Sequence, residues 1–239
     1  MKPDRVSEGL VTIIVPVYNE LRTVVAVIER LLTIDLPLER EIVVVDDGST
    51  DGTGELLANL QLPDARARIV RQARNQGKGA AVRTGIAHAT GTIIAIQDAD
   101  LELDPAQISM LVTPIMNGEA AVVFGSRFFS GAGAVPFASY LPNWILTTIT
   151  NVLYGASITD METCYKVMRT DVALSLGLES NRFEIEPEIT AKLLRKGYTI
   201  VERPIRFEPR SRAQGKKIGW RDAVQALHTL WKYRFARLP

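Results

Sequence analysis

EIVVVDDGSTDGT, residues 41–53, sets four consecutive β-branched apolar residues ahead of an aspartate pair and a Gly-rich turn. A strand that is apolar without alternation must be covered on both faces, the condition of a parallel sheet lined by helices. Toward the N-terminus, VTIIVPV (11–17) repeats the signal. Asn19 then stands ready to cap a helix from about residue 20 to 32, with Val24, Val27, Ile28 and Leu31 on one stripe. Toward the C-terminus come a helix through Leu56, Leu57 and Leu60, a strand at 68–71, a helix at 80–89 and the strand TIIAIQ at 92–97. Strands and helices alternating at this spacing imply right-handed crossovers. The expected fold class is therefore α/β, one mostly parallel Rossmann-like sheet flanked by helices. Ligands of such sheets sit beyond the carboxyl ends of the strands, here the loops after Val17, Val45 and Gln97.

Beyond residue 100 the pattern loosens. A helix is expected at 105–117, a strand at 120–125, a Gly/Pro loop at 130–136 and a packed or interfacial helix at 141–158. Another helix at 185–196, a strand-like stretch at 199–207 and an amphipathic helix at 220–238 complete the chain. The expected division is a catalytic body at 1–219 and a basic C-terminal helix at 220–239. No run of about 20 apolar residues occurs, so no spanning segment is expected. With 239 residues, 46% hydrophobic and 23% charged, the composition excludes collagenous, coiled-coil and disordered classes. The single cysteine, Cys164, excludes an intramolecular disulfide, and MKPDRVSEGL holds no apolar leader, so a cytoplasmic setting is expected. The net charge of +1 conceals thirteen Lys/Arg against three acids in residues 192–239. A basic end behind an acidic body points to an anionic partner such as phosphate, nucleic acid or a membrane surface.

Asp98 and Asp100 leave the strand at 92–97 directly, with Glu102 and Asp104 close behind. Two carboxylates at i and i+2 converge on a hard cation, Mg²⁺ or Mn²⁺, completed by phosphate oxygens. Asp46 and Asp47 end a second strand, one turning the chain and the other reaching a nucleoside, in either order. Lys78 lies between two glycines at a helix start. The spacing is not that of a P-loop, and no dinucleotide fingerprint follows the first strand, so ATP hydrolysis and dinucleotide binding lose support. His88 and His228 have no second ligand at metal spacing.

The segments IIVPVYNE (13–20), VVVDDGSTDGT (43–53), NQGKGAAVRTGI (75–86), DADLELDP (98–105), FGSRF (124–128), TDMETCYKVMR (159–169), FEIEPEITAKLLRKGY (183–198) and GKKIGW (215–220) occur in this order. In that order they resemble family 2 inverting glycosyltransferases, most of all the polyprenyl-phosphate sugar synthases, the dolichyl-phosphate mannose and glucose synthase group. The resemblance implies a GT-A fold and transfer of a hexose from a UDP-glucose or GDP-mannose type of donor to polyprenyl phosphate. It implies that Pro16, Tyr18, Glu20 and the Asp46/Asp47 pair hold the nucleoside, with Lys78 and Ala99 beside the donor. Asp98, Asp100 and Glu102 would hold Mg²⁺ or Mn²⁺ on the diphosphate, Arg127 the acceptor phosphate, and Arg210, Lys216 and Lys217 would close over the donor. A leaving diphosphate gains negative charge, and mobile Lys/Arg together with a divalent ion stabilise it.

Asp160 is the best candidate for a carboxylate at the acceptor, and Glu186 is expected to line the site. Polyprenyl-phosphate synthases of this group often carry a second basic residue soon after G-S-R, and residues 128–140 have none. Many relatives also continue into spanning helices, so here the lipid is expected to be met from a peripheral position at the cytoplasmic face, with Trp220, Val224, Leu227, Trp231, Phe235 and Leu238 as the stripe that lies in the headgroups or packs on protein. Nucleic acid is not an expected partner, and the sequence does not set the oligomeric state. The alternatives are a saccharide or small hydroxyl acceptor, or a non-catalytic nucleotide-sugar-binding protein.

Overall fold

The computed structural model describes residues 9–61, 66–129, 137–209 and 220–236. Strands β1 (Leu10–Val17), β2 (Glu39–Asp46), β3 (Ala67–Arg71) and β4 (Ile93–Ile96) alternate with helices α1 (Val24–Thr33), α2 (Thr53–Asn59) and α3 (Lys78–His88). A 3-10 turn at Pro105–Gln107 leads into α4 (Ile108–Met116), followed by β5 (Val122–Ser126) and α5 (Phe137–Tyr154). The remainder is β6 (Lys166–Arg169), α6 (Thr170–Ser175), α7 (Ile185–Arg195), β7 (Ile200–Pro204) and α8 (Trp220–Phe235). The strands form one sheet in the order β3-β2-β1-β4-β6-β5-β7. β6 is antiparallel to both of its neighbours; every other pairing is parallel.

The uninterrupted apolar strands occupy the centre, as their composition requires: Val11, Ile13, Ile14, Ile42 and Val44 are fully buried between helical layers. The helix expected to start at residue 20 begins instead at Val24, because Asn19 is used elsewhere. It adopts a left-handed backbone (φ 55°) and its Oδ1 accepts the Thr50 N–H at 2.8 Å, fastening the loop after β1 to the loop after β2. Helix α5 ends four residues before the expected boundary, at Gly155, whose φ of 65° is the left-handed stop that glycine supplies most readily. The strand β6 and helix α6 are two short elements beyond those the sequence pattern marks. The loop expected at 130–136 lies outside the described residues.

Helix α8 packs on α5 and α7 through Ala226, Leu230 and Tyr233, which meet Leu146, Ile158, Met161 and Ala191. Tyr154 Oη donates to Leu230 O (2.6 Å), Arg195 Nη1 to Tyr233 O (2.7 Å) and Arg234 Nε to Leu153 O (2.8 Å). The stripe expected from spacing lies on the other side: Val224, Leu227, Trp231 and Phe235 are exposed. The Trp220 side chain and Leu238 are outside the described residues. Among the described residues, no helix is long and apolar enough to cross a membrane.

Candidate active site

At the ends of β1 and β2 both aspartates of the D-D pair turn inward. Asp47 accepts the N–H groups of Gln76 (2.8 Å) and Gly77 (2.7 Å), holding the turn against the start of α3. Burial raises its pKa, against the pull of those two N–H groups. Asp46 Oδ1 accepts the Ser49 N–H (3.0 Å), and Oδ2 lies 3.2 Å from Arg71 Nε. The pair therefore shapes the turn, and the open space beyond it is a groove of about 420 Å³ lined by Gly48, Ser49, Thr50, Arg71, Gln72 and Ala73. Pro16, Tyr18 and Glu20 are half-buried at the end of β1. Glu20 N–H donates to Thr53 Oγ1 (3.1 Å), one more tie between the two loops.

At the end of β4, Asp98 Oδ1 is 2.8 Å from Lys78 Nζ, and the same ammonium is 3.0 Å from Glu186 Oε1. Burial opposes the Lys78 charge, but Asp98 and Glu186 outweigh it and raise its pKa well above the ordinary lysine value. Glu186 continues to Lys166 Nζ at 2.6 Å, and that ammonium also donates to Met161 O and Thr163 O. Asp100 Oδ1 accepts the Glu102 N–H at 3.2 Å, and Ala99 is buried between the two acids. Among the described residues no three acidic, His or Cys side chains form a metal cage of their own. Two carboxylates at one strand end, one of them already beside a cation, suit a hard ion whose other positions fall to water and phosphate oxygens. Burial pushes the Cys164 thiol well up, so it is a packed thiol and no nucleophile.

The glycines around Lys78 have a steric purpose. A Cβ on Gly79 would stand 2.5 Å from Ser180 O, and one on Gly77, at φ 104°, 2.5 Å from Asn181 O. The start of α3 is thus pressed on the backbone at 180–182, which delivers Lys78 to Asp98 and Glu186. Gly79→Ala would gain about 1 kcal/mol of helix propensity, but forcing a methyl group onto a backbone carbonyl costs roughly 1–3 kcal/mol. The clash is expected to win, with a lower unfolding midpoint and weaker donor binding; a more stable variant in thermal melts would refute this.

Arg127 follows β5 and forms a two-pronged pair with Asp160, Nε to Oδ2 at 2.7 Å and Nη2 to Oδ1 at 2.8 Å. The Arg127 N–H also donates to Asp160 Oδ2 (3.0 Å), and Asn143 Nδ2 on α5 donates to Oδ1 (2.9 Å). The guanidinium lies over the rings of Phe128 (5.4 Å) and Phe207 (5.3 Å). Burial would lower its pKa, and Asp160 more than reverses that. Asp160 is fully buried with both oxygens engaged, so it orients Arg127, and Nη1 is left unclaimed by this clamp. Arg210, Lys216 and Lys217 lie outside the described residues. Asn143, Phe207 and Lys166 were not foreseen; Lys166 stood in the T-D-M-E-T-C-Y-K segment, whereas Asn143 and Phe207 carry no local signal.

Residues 12–177 match glycosyl transferase family 2. The chain belongs to that family. It is 28% identical over 215 residues to the undecaprenyl-phosphate mannosyltransferase of Micrococcus luteus, covering 86% of each chain. It is 29% identical to the polyprenol monophosphomannose synthase of Mycolicibacterium smegmatis over 87% of this chain and 80% of that one. In shape it is similar to glucosyl-3-phosphoglycerate synthase from Mycobacterium tuberculosis in complex with Mn²⁺, uridine diphosphate and phosphoglyceric acid. The TM-score is 0.70 at 19% identity, over 95% of this chain and 79% of that one. This family 2 protein is a glycosyltransferase with the GT-A fold, and the curated relatives it is similar to are named as polyprenyl-phosphate sugar transferases and synthases.

Proposed function

We propose that this glycosyltransferase moves a hexose from a nucleotide-diphosphate sugar, of the UDP-glucose or GDP-mannose type, to polyprenyl phosphate. The observation that carries the reading is the Arg127 clamp. A guanidinium is pinned by Asp160 and two aromatic rings with Nη1 left over, while the helix that supplies Asn143 to the clamp exposes Leu141, Trp144 and Ile145 on its other side. A charged head and an apolar tail are what such a neighbourhood suits. The groove beyond β2 and β3 has room for the nucleoside, and Asp98 with Asp100, together with Glu102, would hold Mg²⁺ or Mn²⁺.

A phosphate acceptor is already ionised and needs placing rather than deprotonating. Arg127 holds one of its oxygens at the anomeric carbon, opposite the leaving diphosphate, so the new C–O bond forms with inversion as the old one breaks. Lys78 adds positive charge on the donor side, and Arg210, Lys216 and Lys217 would cover the diphosphate. A bound divalent ion supplies neutralisation of the leaving group. Incubation with a panel of UDP- and GDP-sugars and a short polyprenyl phosphate tests the reading: formation of a sugar phosphodiester on one pairing is expected, and transfer to hydroxyl acceptors alone would refute it.

Residues 220–239 would serve this body, residues 1–219, as its contact with the membrane. Trp231 is 60% and Phe235 65% exposed, with Lys232 and Arg234 beside them. Aromatic residues flanked by cations suit the headgroup plane, each cation contributing on the order of 1 kcal/mol at an anionic surface. Since α8 also buries Ala226, Leu230 and Tyr233, truncation would uncover core, so the informative variant is Trp231→Ser with Phe235→Ser. Co-sedimentation with vesicles containing phosphatidylglycerol is expected to fall about tenfold in that variant and to weaken in wild type as salt rises. Equal binding by both proteins would exclude this stripe as the contact.

A further inference from the structure

We propose that Glu162 is the uncharged hydrogen-bond donor of the acceptor site, keeping its carboxyl proton and giving it in a hydrogen bond to a nonbridging oxygen of the acceptor phosphate beside Arg127. The inference rests on the phosphate acceptor proposed above. Glu162 belongs to the segment that leads into β6, two residues after Asp160, and its Oε1 is buried without a hydrogen-bond partner. A buried polar atom without a partner is uncommon enough to need a cause, and a ligand it awaits is one.

The charges that face Glu162 are Glu186 from α7, Lys166 from β6, Arg127 after β5 and Asp160 beside it. Arg127 is taken by Asp160, while Glu186 takes Lys166 on one oxygen and Lys78 on the other. Each neighbouring cation is thus already paired with another carboxylate, and Glu162 has no counter-ion of its own among the described residues. Burial, with Glu186 reinforcing it, pushes its carboxyl up to about 7 despite Lys166 and Arg127. A phosphate monoester carries its second charge above about pH 6. An ionised Glu162 would repel that dianion, and a neutral one would donate to it; the arriving dianion in turn raises the Glu162 pKa further.

The test is the pH dependence of kcat/KM for a short polyprenyl phosphate in wild type and Glu162→Gln, whose amide donates at every pH. In wild type the value is expected to fall above about pH 7, approaching tenfold per pH unit, and in Glu162→Gln this alkaline fall is expected to vanish. Glu162→Ala, with no donor, is expected to lose at least tenfold at pH 6.5. A readout apart from turnover follows from the sign of the shift. The folded state holds its proton to about pH 7 against an ordinary 4.5, so this group's contribution to stability is complete below 4.5 and lost as pH rises through 7. The stability of Glu162→Gln relative to wild type should therefore improve across that window. An unchanged alkaline limb in folded Glu162→Gln would overturn the role while leaving the phosphate acceptor standing. Collapse of folded Glu162→Gln at every pH would instead mark a carboxylate base and overturn the donor role. No transfer to polyprenyl phosphate by wild type would overturn the acceptor reading, and this role with it.

Discussion

Replacing Asp100 by asparagine is expected to lower hexosyl transfer by two to three powers of ten while leaving the unfolding midpoint where it is. The fold tolerates the change because Asp100 is half-buried in the turn after β4, and its Oδ1 accepts the Glu102 N–H, a role an amide oxygen can keep. What disappears is a formal charge. Of the acids at that strand end, Asp98 already shares an oxygen with the Lys78 ammonium, so a divalent ion held there would depend on Asp100 for much of its local negative charge. Losing hold of an ion that neutralises a leaving diphosphate forfeits about 3–4 kcal/mol of transition-state stabilisation, from which the stated rate loss follows. Excess EDTA should reproduce the defect in wild type and Mn²⁺ or Mg²⁺ should reverse it. Full turnover in EDTA, or a folded Asp100→Asn protein with wild-type kcat/KM, would dismiss the metal site.

The contrast between β4 and β6 explains how much of this architecture was legible. β1, β2 and β4 are runs of Val and Ile buried on both faces, and composition alone marks them. β6 is four residues long and opens on Lys166, a residue type seldom buried without a partner. Its partner, Glu186, lies twenty residues on, and the pair becomes visible only when α7 has been laid against the sheet. The same limit applies to Asp160. T-D-M-E marked it as an acid near the acceptor, but that both of its oxygens would be occupied depends on Arg127 and on Asn143 from another helix. On α8 the spacing of large residues selected Val224, Leu227, Trp231 and Phe235, whereas the face that packs carries Ala226 and Thr229 beside Leu230 and Tyr233. Small residues allow two helices to approach closely, and a search weighted toward bulk passes over them.

Removal of Arg127 is expected to have two consequences that separate by variant. Arg127→Ala leaves Asp160 fully buried with Asn143 and one backbone N–H as its remaining donors. Stranding a buried charge in this way costs about 3–5 kcal/mol, a large part of an ordinary domain's total stability. Loss of activity in that variant alone would therefore mix unfolding with chemistry. Arg127→Ala combined with Asp160→Asn removes both charges and is expected to recover much of the unfolding midpoint. Arg127→Lys keeps a cation for Asp160 but gives up the planar fork and its stacking between Phe128 and Phe207. If Nη1 meets the acceptor phosphate, both folded variants should lose about 1.5–3 kcal/mol in kcat/KM for polyprenyl phosphate, ten- to a hundredfold, with Arg127→Lys at the mild end. Affinity for the nucleotide sugar, measured by calorimetry with the divalent ion present, should stay within about threefold, because the groups that hold Arg127 are Asp160, Phe128 and Phe207 and not the acids proposed to hold the donor. A fall in donor affinity equal to the fall in transfer would move Arg127 to the donor side, and full acceptor turnover in the stabilised double variant would remove it from the site.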